Sequence, residues 1–246
     1  MSTNELIIII GVAVIAALLK SITGLGYPLL LVPALALFLD IADAIVIVAP
    51  SNLVLNGQIS WVNRSHKSGA RTLKPFALVG IAGTIVGTIL LPILPDRGLR
   101  IVLIGIVVAF IISRRSKAGD AVERDPTSTD RYAGGVGFVA GIFQGAAGVS
   151  GPVVSAWFLS RQIAVDAFVF AVTASFALHG SVQLLVLLFQ PQFSDELLLG
   201  LILVPFALVM VPVGAFLRKR LNTERFEQLV IAVLIVAAIS LFVRVI

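Results

Sequence analysis

Residues 20–28, Lys-Ser-Ile-Thr-Gly-Leu-Gly-Tyr-Pro, and residues 144–152, Gln-Gly-Ala-Ala-Gly-Val-Ser-Gly-Pro, are two versions of one pattern. Each cuts an apolar stretch near its middle with glycines and ends in proline. Gly24-Leu25-Gly26-Tyr27-Pro28 lines up with Gly148-Val149-Ser150-Gly151-Pro152. The agreement continues outward in order. Asp43-Ala44 matches Asp166-Ala167, and Asn52, Asn56 and Gly57 match Ser175, His179 and Gly180. Val86-Gly87 then matches Val213-Gly214, and Leu94 matches Leu221. Identity is weak, but the order holds along both halves, as an internal duplication requires.

The solvent for these halves follows from composition. Of 246 residues, 59% are hydrophobic and 13% charged, and the mean hydropathy is +1.08. The charges leave long uncharged runs at 6–19, 21–39, 44–63, 75–95, 101–113, 132–160, 167–194, 197–217 and 228–243. A helix needs about 20 mostly apolar residues to cross a bilayer, and most of these runs reach or approach that length. The chain therefore reads as an all-α polytopic membrane protein, with the lipid bilayer as its first partner. Its pI of about 10.1 does not point to nucleic acid, because the basic residues sit in short clusters between apolar runs instead of lining one face. Absence of cysteine excludes disulfides and thiolate chemistry. Glu5, with no basic segment before the first apolar run, fits a retained segment better than a cleaved signal peptide.

Residues 114–131 hold five Lys/Arg and four Asp/Glu, a composition that cannot bury itself and reads as a solvated linker. The expected organisation is a first membrane repeat at 1–113, this linker, and a second repeat at 132–246. Loop charge sets the orientation, since Lys and Arg collect on the cytoplasmic side. If each opening stretch is a hairpin that enters and leaves on one face, each half has three further crossings and the halves are inverted. The clusters at 64–74, 114–131, 161 and 218–225 then put fourteen cations inside, against Arg97, Arg100 and Arg244 outside. Parallel halves give ten against seven. The expectation is two inverted four-segment repeats in the cell membrane, each a broken or re-entrant first element plus three transmembrane helices, with linker 114–131 cytoplasmic.

Broken helices inside a bilayer carry a chemical implication. Backbone that is not helical is tolerated at membrane depth only where protein buries it or where it lines a wet cavity. Two inverted hairpin tips would meet near the midplane. Each second arm starts there at Pro28 or Pro152, and proline suits the first helical turn. Free N–H groups and two positive dipole ends would converge, as in an anion site of a transporter with discontinuous helices. Around this point the sequence places the candidate substrate-binding residues Lys20, Gly24, Gly26, Tyr27, Asn52, Asn56, Gln144, Gly148, Ser150, Gly151, Ser175 and His179. Asn52 and Asn56 lie one helical turn apart, as do Ser175 and His179, so each pair faces one way. The plainer alternatives are that the glycines serve packing, that Lys20 extends to an interface, and that the polar residues bond between helices. Thr84 and Thr88 are weaker candidates, because threonine often bonds its own helix.

No Asp or Glu lies inside an apolar run, which argues against a carboxylate proton relay, and His179 is the embedded group able to change charge near neutral pH. No Walker A motif is present, so no nucleotide cofactor is implied. No metal-ligating cluster and no other cofactor motif is read. Nothing in the sequence specifies a coupling ion or an oligomeric state.

These residues resemble the sulfite exporter TauE/SafE family, also called the toluene-sulfonate uptake permease superfamily. Gly24-Leu25-Gly26 followed by Pro33 matches the family's glycine-rich break and later proline, and Gly141, Gly145 and Gly148-Val149-Ser150-Gly151-Pro152 match its second copy. Tyr27, Pro28 and Ser150 stand where further glycines are usual. The resemblance implies an integral membrane permease for small sulfur-containing anions such as sulfite or organosulfonates, so no enzyme is expected; the architecture of inverted repeats, independently of the resemblance, makes alternating access around a midplane site the expected mechanism.

One motif supports a different class. Gly148-Val149-Ser150-Gly151 with His179 in a later helix resembles the Ser/His dyad of rhomboid intramembrane proteases, where nucleophile and base need only meet in space. Against it, the position matching Ser150 in the first half is Gly26, within a similar break that has no nucleophile.

Overall fold

A computed structural model describes residues 3–24, 26–69, 73–99, 132–159 and 165–218, with isolated positions at 101, 104, 105 and 108. The linker 114–131, most of the run 101–113, the run 228–243 and Leu221 of the repeat lie outside the described residues, as do the cations Arg71, Arg100, Arg161, Lys219, Arg220, Arg225 and Arg244. Among the described residues the structure is helical with no strand. Helix α1 spans Thr3–Thr23, α2 Tyr27–Leu35, α3 Ile41–Val62 and α4 Leu73–Leu90, with a short 3-10 stretch at Arg64–Gly69. The second half gives α5 at Ala133–Ala147, α6 at Gly151–Leu159, α7 at Val165–Leu188 and α8 at Ser194–Arg218, with a 3-10 turn at Pro191–Phe193.

Three helical segments, 41–62, 167–188 and 191–217, are long and apolar enough to cross a membrane, while Ile7–Ile22, Lys74–Leu90 and Ala133–Ala147 form shorter apolar helices. The exposed face of α8 carries Leu198, Leu201, Val209 and Phe216, and that of α4 carries Leu78, Ile85 and Ile89. A helix apolar on its inner and outer faces alike belongs in lipid. This is a membrane protein. Proline stands inside α3 (Pro50) and α8 (Pro205, Pro212), as membrane helices tolerate where neighbouring groups can re-satisfy freed carbonyls. Helix α3 begins with an N–H that its own helix cannot satisfy; Ile41 N–H donates instead to Asp96 Oδ1 at 2.8 Å.

Packing between helices follows small residues. A Cβ on Gly80, Gly83 or Gly87 of α4 would run into α5 or α7, and a Cβ on Gly137, Gly141 or Gly145 of α5 would run into the backbone of α4. Without a hydrophobic drive between helices in lipid, such close backbone approach supplies the dispersion contact that holds them. The two helices run the same way, since Phe76 lies by Gly137, Gly80 by Gly141 and Thr84 by Gly145. Helix α7 also runs with α4: His179 Nε2 meets Ala77 O at 3.2 Å, and Gln190, just past its end, donates to Thr88 O at 3.3 Å.

Contacts come in matching sets. Helix α1 packs on α8 as α5 packs on α4; α3 packs on α8 as α7 packs on α4; and α3 packs on α7. The match extends to single residues. Gly87 faces Ile142 and Gly145 of α5, and Gly214 faces Leu18 and Ser21, the corresponding places on α1.

Candidate functional site

The two helix breaks are built alike. Helix α1 closes with Gly24 N–H donating to Lys20 O at 2.7 Å, and α5 closes with Gly148 N–H donating to Gln144 O at 3.0 Å. The next arms open with Leu30 N–H on Gly26 O at 3.1 Å and Val154 N–H on Ser150 O at 3.0 Å. Gly24, Gly26 and Gly148 have φ of 77°, 105° and 65°, left-handed backbone that a side chain would strain. Each break rests on the long helix of the other half, Gly24 beside Val169 and Thr173 of α7, and Gly148 beside Ile45 of α3. At the starts of α2 and α6, the N–H groups of the first turn have no acceptor within their own helix, and Pro28 and Pro152 lack one.

Between the breaks lies a small cavity of about 10 Å³, lined by Lys20, Gly26, Pro28, Leu29, Asn52, Gln144, Gly148, Val149, Ser150, Gly151 and Phe176. That is room for about one water.

Its first wall is built around a buried lysine. Lys20 is 1% exposed; its Nζ donates to Asn52 Oδ1 at 3.0 Å and lies 5.1 Å from the centre of the Phe176 ring. Asn56 Nδ2 donates to the same Asn52 oxygen at 3.2 Å. Asn52 thus accepts twice. Among the described residues the ammonium has no carboxylate partner, and a buried charge without one is costly.

The facing wall is neutral. Ser150 Oγ donates to Gln144 Oε1 at 2.9 Å, and Gln144 Nε2 donates to Gln183 Oε1 at 3.0 Å. Gln183 Nε2 in turn reaches Gln144 O at 3.0 Å and Gly145 O at 3.3 Å. This network ties α7 to the break at the end of α5 and holds the Gln144 side chain at the cavity.

Seven of the residues singled out by sequence meet at this cavity: Lys20, Gly26, Asn52, Gln144, Gly148, Ser150 and Gly151. The other five do not line it. Gly24 supports the turn. Tyr27 is buried and its hydroxyl donates to Ser51 Oγ at 2.9 Å. Asn56 stands behind Asn52, with its Oδ1 unpartnered among the described residues. Ser175 donates to Ala171 O of its own helix at 2.8 Å. His179 points away to α4, where Nε2 meets Ala77 O and the ring stacks on Phe76 at 6.2 Å; its Nδ1 is buried and unpartnered among the described residues. Thr84 and Thr88 bond Gly80 O and Thr84 O, within their own helix. Ser150 and His179 are thus each engaged elsewhere, and the Ser/His dyad is not formed.

A family model described as "Sulfite exporter TauE/SafE" matches residues 9–241. The chain belongs to the TauE/SafE family. The match spans both breaks and nearly all of the 246 residues, so the glycine-rich turns, the buried Lys20 and the membrane helices all fall inside a family of membrane transporters. No curated protein and no solved structure matches the chain.

Sequence reasoning missed Phe176 at the cavity and left out Gln183, which stands behind Gln144. The signal for Gln183 was its polarity in an apolar run, two turns beyond Ser175 on α7. Phe176 carries none, since an aromatic residue in an apolar helix has no contrast with its neighbours.

Proposed function

We propose that this TauE/SafE member is a permease moving small sulfur-containing anions, sulfite or organosulfonates, by alternating access around the cavity between the two breaks. The single observation carrying the reading is Lys20: an ammonium buried at a helix break, with no carboxylate beside it among the described residues, has its best partner in a bound anion. Asn52 positions the ammonium. Gln144, Ser150 and the backbone N–H groups opening α2 and α6 would donate to the substrate's oxygens. The cavity holds about one water, so an anion with several oxygens fits only when the breaks move apart, as alternating access requires.

The inverted relation of the halves, 1–113 and 132–246 about a cytoplasmic linker at 114–131, is part of this proposal. It is supported by helix direction. Helix α7 runs with α4, yet α7 corresponds to α3, which precedes α4 and crosses in the opposite sense if successive spans alternate. Corresponding helices then oppose one another, and the cation distribution between loops agrees.

The test is flux. In proteoliposomes of purified protein, labelled sulfite or an organosulfonate such as methanesulfonate should cross faster than in empty vesicles, and Lys20→Met should abolish the difference. Protein-dependent flux of one of these anions that persists in Lys20→Met would overturn the assigned site. Absence of protein-dependent flux for every sulfur anion, together with no shift in melting temperature, would overturn the permease reading itself.

A further inference from the structure

The two walls of the cavity differ by one charge, and that difference points to the charge of the ligand. Resting on the permease reading above, we propose that the site selects monoanions, sulfonates of the form R–SO3⁻ and sulfite as hydrogensulfite, over dianions of the same size such as sulfate. Lys20 and Gln144 occupy matching places, each accepting through its carbonyl the N–H of the glycine that closes its helix, Gly24 and Gly148. Only the first carries a charge. The remaining polar side chains at the cavity, Asn52 and Ser150, are neutral.

Helix ends add less than a full second positive charge. At each break the carbonyl end of one helix adjoins the N–H end of the next, so their partial charges partly offset. A monoanion beside Lys20 makes the buried site neutral overall. A dianion leaves one negative charge without a cationic partner among the cavity's described side chains, and a buried unpaired charge is strongly disfavoured. The neutral wall has a use in this scheme: Ser150 and the amides of Gln144 and Gln183 bond polar groups without asking for further charge. The Phe176 ring beside the ammonium gives the substituent R an apolar surface.

Methanesulfonate and sulfate share size and shape but differ by one charge, and neither changes charge across the working pH range. Binding to full-length protein in detergent, by calorimetry at constant ionic strength, should favour methanesulfonate by at least about tenfold. Gln144→Lys, which gives the second wall the residue of the first, should narrow or reverse that preference. The wild-type comparison needs no variant to fold. Equal or tighter binding of sulfate by wild type overturns the charge rule and leaves the permease reading intact. If neither anion binds while sulfite also fails, the permease reading falls and takes the charge rule with it.

Discussion

Replacing Lys20 by methionine separates a residue kept for a ligand from one kept for packing. Methionine retains much of the length and volume but not the ammonium. The folded protein loses the bond to Asn52 at 3.0 Å, worth about 1.5–3 kcal/mol for a charged donor. It also loses the contact over Phe176 at 5.1 Å, about 0.5–2 kcal/mol. Asn52 Oδ1 keeps its bond from Asn56 Nδ2, so no acceptor is orphaned. Against these losses stands removal of a buried ammonium with no carboxylate beside it among the described residues, a desolvation cost of several kcal/mol. The net change lies between about zero and a few kcal/mol in favour of the variant. At roughly 2–4 °C per kcal/mol for a chain of this size, the melting temperature in detergent should hold or rise by up to about 10 °C. Affinity should move the other way: one charge-assisted bond is worth about 1.5–3 kcal/mol, so anion binding should weaken by about 10- to 150-fold. The two readouts are taken on one sample, by melting with and without methanesulfonate or sulfite. A variant that melts well below wild type yet keeps full ligand stabilisation would refute the reasoning, because Lys20 would then serve the fold.

Four further outcomes follow from the geometry. Gly141→Leu should unfold or misassemble the protein, since the added side chain meets the Gly80 carbonyl and Thr84 of α4, with a cost above the usual 1–3 kcal/mol, roughly, of overpacking; Gly11→Ala, with nothing within 4 Å, should be neutral or slightly stabilising, as detergent melting curves will show. Gly148→Ala combines a φ of 65° with an Ile45 methyl 3.1 Å from the new carbon, so it should cost more than the 1–2 kcal/mol, roughly, of left-handed backbone alone, whereas Gly26→Ala, in open space, should cost about that strain. His179→Ala should destabilise the fold by about 2–3 kcal/mol from the lost ring packing and Ala77 bond, seen as a lower melting temperature, while leaving anion affinity within about threefold; a larger loss of affinity in calorimetry would bring His179 into the site. A fluorophosphonate probe should not label Ser150, whose hydroxyl is held by Gln144 at 2.9 Å, and labelling that disappears in Ser150→Ala would revive the protease reading.

The turns were legible in the sequence because their chemistry narrows the choice of residue. Left-handed backbone at positions 24, 26 and 148 calls for glycine, and a helix that restarts inside an apolar run tolerates proline in its first turn. The polar side chains were legible by contrast with the apolar runs around them: Lys20, Asn52, Gln144 and Ser150 stand out and do meet. Contrast says that a residue is special, not which way it points. Helix α7 is apolar nearly all round, so nothing in its pattern fixes its rotation about its own axis, and Ser175 and Phe176, about 100° apart on a helix, could not be ranked. The structure gives Phe176 to the cavity and turns His179 toward α4. The deciding contact is a small one: Gly80 leaves space that the His179 ring fills, and the ring then bonds Ala77 O.

The same reasoning explains why matching positions ended with different roles. Asn56 and His179 correspond in the two halves, and each keeps one buried atom unpartnered among the described residues. Asn56 leans on Asn52 and so on Lys20, whereas His179 leans on the backbone of α4. Ser175, which corresponds to Asn52, bonds its own helix and does not line the cavity, and Gln144 meets Gln183 instead. A Lys needs an acceptor, which Asn52 supplies; a Gln both donates and accepts, and Gln183 with Ser150 satisfies both functions. Each wall therefore follows from the residue that closes its break, Lys20 or Gln144. Changing that residue alone should unsettle its wall: in Gln144→Lys the Gln183 Oε1 can still accept, but Ser150 loses its acceptor, so Asn at 175 (Ser175→Asn) should recover stability in the double variant. Melting that is no higher in the double variant than in Gln144→Lys would show that the two walls are not interchangeable in this way.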